Sequence, residues 1–204
     1  MHPNPVFHDR DAAANLAFAR ERGFGVLSVN GIEGPLLAHV PFTLSADGNE
    51  AHLHLVRSNP IVRALGDGLP AVLAVSGPDG YISPDWYGVV DQVPTWNYVA
   101  VHLRGRLEPL PQDRLPELLV ELSAVFEDRL APKMAWLMDK MSPGSVERMM
   151  RAIVPVRLAI ASVDGTWKLG QNKPDDVRLG AAAGVESGVG QELAALSALM
   201  RAGS

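Results

Sequence analysis

Residues 95–110, TWNYVAVHLRGRLEPL, alternate apolar and polar side chains over an unusually long run, with Val99, Val101, Leu103 and Leu107 on one side and Tyr98, His102, Arg104 and Arg106 on the other. A period of two is the signature of a strand with one face in a core and the other wet or occupied. The same alternation returns in EAHLHLVR, where Ala51, Leu53 and Leu55 interleave with His52 and His54. GFGVLSVN, GPLLAHVPFTL, PAVLAVSG, PVRLAIASVDG and TWKLGQ also read as strands. Asn30-Gly31 supplies the positive φ angles of a type I′ turn, predicting a hairpin from the first two of these, and SADGN marks a second turn. So many strands joined by tight turns favour a small β-barrel or α+β barrel over alternating βαβ units.

Helices punctuate the strands. One is expected over 9–22, with Asp9 or Asp11 as its cap and Gly23 as its stop. A short one starts at SNP, with Ser58 or Asn59 as cap and Pro60 in the first turn, and closes at Gly66. Over 113–130, Leu115, Leu118, Leu119, Leu122 and Phe126 fall on one stripe. Another starts at Ser142-Pro143 and carries Val146, Met149, Met150 and Ile153, and a last one covers 191–201. GAAAGVESGVG, 180–190, reads as a loose linker. The expected organisation is one domain over 1–180 with inserted helices at about 113–153, then a linker and C-terminal helix over 181–204.

Composition narrows the chemistry. A chain of 204 residues, 47% hydrophobic and 20% charged, can bury a core without staples. With no Cys, it has no disulfide, thiolate zinc site, iron–sulfur cluster or Cys nucleophile, and a reducing cytoplasm is the expected location. Neither an export leader nor an apolar run of about 18 residues is present, so no membrane role is expected. The 23 Asp and Glu against 18 Lys and Arg, a net charge of −5, work against gripping phosphate backbones.

Two places concentrate candidate chemistry. Five of the aromatics, Tyr81, Trp86, Tyr87, Trp96 and Tyr98, crowd into 81–98, where they line a planar ligand or simply pack a core edge. The turn Arg57-Ser58-Asn59-Pro60 places a guanidinium beside the start of a helix, which is either an anion seat or an ordinary cap. His52-x-His54 lacks a third metal ligand at an obvious spacing and reads as a strand face. Neither Gly23-Phe24-Gly25 nor the glycines of 184–190 follow a strand into a helix, so no dinucleotide fingerprint is present.

HLVRSNP (54–60), GYISPDWY (80–87), VPTWNYVAVHLRG (93–105) and WKLGQNKPDDVR (167–178), in this order and spacing, resemble the PaiB-type FMN-binding family, often labelled negative transcriptional regulators. The resemblance covers nearly the whole chain apart from roughly its last 20 residues. It implies a mainly β, α+β fold: a split β-barrel of the flavin reductase-like type with peripheral helices. It further implies a homodimer with FMN at or near the subunit interface, and an FMN-dependent oxidoreductase or flavin-sensing role.

Residue by residue, the resemblance puts Arg57, Ser58 and Asn59 on the phosphate, and Ile82, Ser83, Trp86 and Tyr87 along the ring or ribityl chain. Thr95, Trp96, Asn97 and Tyr98 would bound the pocket across the dimer. Lys168, Gln171 and Asn172 would donate to phosphate or to the flavin carbonyl edge, with His39 a further candidate. Ser58 stands where relatives usually carry Ala, and Gly170 where Ser is expected in K-L-S-Q-N. Asp175-Asp176 reads as a helix N-terminus rather than a metal site. Two alternatives remain open: a transcriptional regulator acting on DNA directly or through a partner, which the charge does not support, and a haem-binding split barrel using His39, His52, His54 or His102.

Overall fold

The computed structural model describes residues 1–142 and 144–203. Helix α1 (Ala12–Arg22) is capped by Asp11, whose Oδ1 accepts the Ala14 amide at 2.7 Å. The strands are β1 (Phe24–Gly31), β2 (Gly34–Pro41), β3 (Thr43–Leu44), β4 (Glu50–Val56), β5 (Leu69–Ile82), β6 (Thr95–Pro109), β7 (Ile153–Lys168) and β8 (Gly190–Gln191). They join in one sheet in the order β2-β1-β5-β6-β7-β4-β3, with β8 beside β5. The pairs β1–β2, β1–β5, β3–β4, β4–β7 and β5–β8 are all antiparallel. The remaining helices are α2 (Pro60–Leu65), α3 (Leu115–Glu127), α4 (Ser145–Met150), α5 (Asp175–Val185) and α6 (Leu193–Ala202).

The residues sort into two compact units, and β5, β6 and β7 each contribute one end to either. The larger, residues 19–74 and 103–163, contains β1 to β4 and the helices α2, α3 and α4. Its core takes the apolar positions that alternation singled out: Leu53, Leu103 and Leu107 are fully buried, and Leu115, Leu118 and Leu122 form the inward stripe of α3. The 113–130 helix is thus confirmed, with single 3-10 turns at 112–114 and 128–130 flanking it. Its neighbour α4 is only six residues long, and Ile153 opens β7 instead of extending the helix. Pro143, the expected start of that helix, lies outside the described residues.

The hairpin forms, but its turn falls two residues later than Asn-Gly predicts. Asn30 pairs with Pro35 and Gly31 with Gly34, so Ile32 and Glu33 make the turn. Gly31 closes the ladder because a Cβ there would lie 2.6 Å from the Gly34 carbonyl oxygen, and Gly34 itself takes φ +130°.

The smaller unit, residues 1–18, 75–102 and 164–204, holds α5, α6 and the ends of β5, β6 and β7. Ile82, Val99, Trp167, Leu169, Val177, Ala181, Ala182, Val185, Leu196 and Met200 make its core, with Phe18 and Trp86 packed against them. Residues 180–185, read as linker, are the second half of α5. Their small side chains are a packing requirement: Ala181 and Ala182 are fully buried, and the Trp86 indole lies against Gly184. Asp175 and Asp176 open α5, as expected, where carboxylates favour the helix dipole.

Candidate functional site

In the larger unit, the end of β4 runs into α2 through Arg57-Ser58-Asn59. Asn59 is the cap, its Oδ1 accepting the Ile61 amide at 2.9 Å. The Arg57 guanidinium donates from Nε to the Arg151 carbonyl (2.9 Å) and from Nη2 to Gln112 Oε1 (3.2 Å) and the Ile153 carbonyl (3.3 Å). Ser58 is exposed. This turn therefore ties the strand end to the segment entering β7, with part of its donor capacity already used.

The smaller unit contains a cleft of about 270 Å³. Lys168 and Asn172 enter it from the end of β7 and the loop after it, together with Lys173. Thr95 and Asn97 come from the start of β6, Tyr87 from the 3-10 turn Pro84–Tyr87, and Gln92 and Val93 from the connection between that turn and β6. His2, Asn4 and Phe7 complete the lining.

Strand geometry divides the expected quartet 95–98. Asn97, 1% exposed, shares the buried face of Val99 and Val101, whereas Trp96 lies on the opposite face, 46% exposed and edge-on to Tyr81. Tyr98 also lies on that opposite face, and burial pushes its hydroxyl pKa up.

The cleft is cationic. Lys168 Nζ donates to Thr95 Oγ1 and sits 5.9 Å from the Phe7 ring centroid; Lys173 Nζ donates to Gln92 Oε1 and sits 5.2 Å from the Tyr87 centroid. Each ammonium thus has a neutral hydrogen-bond partner and an aromatic face. No Asp or Glu is among the lining residues. Burial lowers the Lys168 pKa and raises that of Tyr87, both by disfavouring the charged form. Asn97 is oriented by a contact from Nδ2 to Met200 Sδ at 3.5 Å.

Of the expected residues, the cleft gathers Tyr87, Thr95, Asn97, Lys168 and Asn172. Others near it in sequence have structural partners. Ile82 is fully buried in the core, Ser83 Oγ accepts the Asp85 amide, and Trp86 packs on α5. Gln171 clamps the backbone on both sides, Nε2 donating to the Trp167 (2.6 Å) and Val6 (3.2 Å) carbonyls while Oε1 accepts the Leu169 amide (2.9 Å). His39, in the larger unit, stacks beside Phe24, with 6.5 Å between ring centroids.

Sequence reasoning missed Lys173, Gln92, Val93 and Phe7, and the N-terminal pair His2 and Asn4. Lys173 adjoins Asn172 and was legible as the next residue of K-L-G-Q-N-K. The N-terminal pair carried no local signal.

FMN combines a phosphate dianion, a polar chain and a flat ring. Paired ammonium groups without a carboxylate suit the dianion, the Asn97 and Asn172 amides suit the chain, and the faces of Phe7 and Tyr87 offer apolar surface. At this volume, just under the range of about 300–1,000 Å³ typical of whole-ligand sites, the cleft fits the anionic end better than the entire cofactor. Among the described residues no group of three or more His, Asp or Glu gathers to hold a metal, and no helix is long and apolar enough to cross a membrane.

Comparison with known proteins shows the family and the fold. The chain is 29% identical over 158 residues to the protease synthase and sporulation protein PAI 2 of Bacillus subtilis, covering 76% of this chain and 75% of that one. Its fold matches the flavocytochrome Anf3 of Azotobacter vinelandii, with a TM-score of 0.58 at 17% identity, over 82% of this chain and 72% of that one. It likewise matches the FAD and heme binding protein of Mycobacterium smegmatis, with a TM-score of 0.57 at 20% identity, over 88% and 80%. The antiparallel eight-stranded sheet with peripheral helices is the flavin reductase-like split barrel. Residues 1–162 match the family described as "Putative FMN-binding domain", whose cofactor is FMN. The chain belongs to that PaiB-type FMN-binding family.

Proposed function

We propose that this protein binds FMN noncovalently as a homodimer and uses it in a redox or flavin-sensing role, with the cofactor's phosphate end held in the Lys168–Lys173 cleft. The carrying observation is the pair of ammonium groups, each with a neutral partner, in a cleft whose lining contains no carboxylate. Charge-assisted bonds from both would anchor the dianion, Asn172 and Asn97 would orient the polar chain, and Tyr87 would shield it from water. When bound, the isoalloxazine supplies the electron transfer, and the protein supplies position and polarity.

The resemblance puts the phosphate instead at Arg57, Ser58 and Asn59. We favour the cleft because the Arg57 guanidinium already donates from Nε and Nη2 to two backbone carbonyls and to Gln112 Oε1.

Exposed apolar side chains on 89–96, namely Val89 (48%), Val90 (83%), Val93 (72%) and Trp96 (46%), support the dimer by giving a second copy a surface to cover. An effect on transcription would run through a partner, since a net charge of −5 opposes direct DNA contact.

The test is the absorption spectrum as purified, followed by FMN titration of the apo protein with light scattering. Flavin bands, saturable binding below tens of micromolar and a mass of twice the chain are expected; absence of binding refutes the proposal.

A further inference from the structure

Residues 1–8 fold back as a strap over the unit that carries the cleft. Phe7 is buried, the His2 amide donates to Thr166 Oγ1 (3.4 Å), and the Val6 carbonyl accepts from Gln171 Nε2. His2 and Asn4 both line the cleft. The Asn4 amide donates to His2 Nδ1 at 3.1 Å. A backbone N–H can only donate, so Nδ1 is the ring's acceptor and the neutral imidazole carries its proton on Nε2. Asn4 Oδ1 accepts the Val6 amide at 3.1 Å, which leaves Nδ2 as that side chain's donor. The imidazole packs edge-on against Phe7, with centroids 4.7 Å apart at 87°.

We infer that His2 and Asn4 are anion-binding residues, presenting Nε2–H and Nδ2–H to a phosphate monoester held between Lys168 and Lys173. The inference rests on the reading of the cleft as a phosphate seat and adds the strap as its second wall. Two ammonium groups, an imidazole N–H and the amides of Asn4 and Asn172 surround an acid-free volume, and terminal phosphate oxygens in several directions use such a set more fully than a planar carboxylate does.

The groups facing His2 are the Lys168 ammonium, the His8 imidazole and the Met1 amino group, and Lys173 and Tyr87 are the other titratable groups lining the cleft. Burial first, then these positive neighbours, hold its pKa below the ordinary imidazole value. A bound dianion opposes that effect and moves the pKa up.

The experiment titrates the full chain with FMN and, separately, with inorganic phosphate, using wild type, His2→Phe and Lys168→Met, and follows the His2 imidazole by NMR. His2→Phe keeps the ring against Phe7 and removes both the Nε2 donor and the exposed Nδ1 acceptor of the Asn4 amide, which water can replace. It is expected to weaken binding roughly tenfold to a hundredfold, the loss of one hydrogen bond to a charged ligand, at unchanged Tm. The His2 titration in wild type is expected to shift upward when phosphate is added, which a purely structural histidine would not do. Weakening toward both ligands assigns the seat to the cofactor's ester, and toward phosphate alone to a free phosphorylated ligand. Wild-type affinity in His2→Phe with a stationary His2 titration overturns the inference; if Lys168→Met still weakens binding, the cleft reading survives, and if it does not, both fall.

Discussion

A Cβ built on Gly184 would lie 2.4 Å from Cγ and Cδ2 of Trp86, so the indole rests directly on the backbone of α5. A Cβ built on Gly188 would lie 2.9 Å from Cη2 at the far edge of the same ring. The aromatic segment 81–98 is thereby fastened to the helix that follows the lysine-bearing loop.

Replacing Gly184 by Ala sets two effects against each other. Helix propensity gains about 1 kcal/mol, whereas forcing a methyl into a packed ring costs about 1–3 kcal/mol. The overlap is with a rigid indole rather than a flexible chain end, so the loss wins. Urea unfolding should show a net destabilisation, and a variant as stable as wild type would remove Trp86 as the reason for glycine here.

Lys168→Met and Lys173→Met should each weaken FMN binding by about tenfold to a hundredfold, the range for losing one charge-assisted bond of about 1.5–3 kcal/mol. Lys168→Met should not destabilise the fold, because the partly buried ammonium pays desolvation against a neutral hydroxyl partner. Fluorescence titration paired with thermal melting separates the two effects.

Glu186 joins α5 to α6. Its Oε1 lies 2.7 Å from Ser197 Oγ and 3.2 Å from Arg201 Nη2, and these contacts lower its pKa, Ser197 first. The folded-state value lies below the unfolded one, so the contribution to stability is complete above the unfolded carboxylate range and is lost as pH falls through the folded pKa. Glu186→Gln should flatten the acid limb of the stability curve below pH about 5 while leaving the neutral region little changed, since the group is exposed. An unchanged acid limb in denaturant melts across pH would refute the link.

Arg57→Ala should lower stability by about 0.5–1.5 kcal/mol, because the solvent-accessible carbonyls of Arg151 and Ile153 exchange a charged donor for water. FMN affinity should change less than in either lysine variant. A loss of affinity exceeding theirs would move the phosphate to the strand end.

The sequence made β4, β6 and α3 legible because their burial follows a simple period: Leu53, Val101 and Leu118 each fall where alternation or the helical stripe puts them. It made Tyr87, Lys168, Asn172, Thr95 and Asn97 legible through motif resemblance, and their division from Trp96 and Tyr98 follows the alternation of β6, which the resemblance by itself overrode. The stretch 180–185 looked like a linker because Gly and Ala signal flexibility in isolation, whereas here they make room for an indole distant in sequence. His2 and Asn4 were illegible for a related reason. Nothing near residue 2 announces that Thr166 and Gln171 will receive it.

The cleft draws on residues 2–7, 87–97 and 168–173. During synthesis, then, a nascent chain has no assembled seat until residue 173 has been made and has left the ribosome. Loop closure over such spans comes late in folding. On the proposed reading of the cleft, cofactor capture therefore reports that the chain has been made through residue 173, and one cut short before Lys168 would lack both cations of the seat.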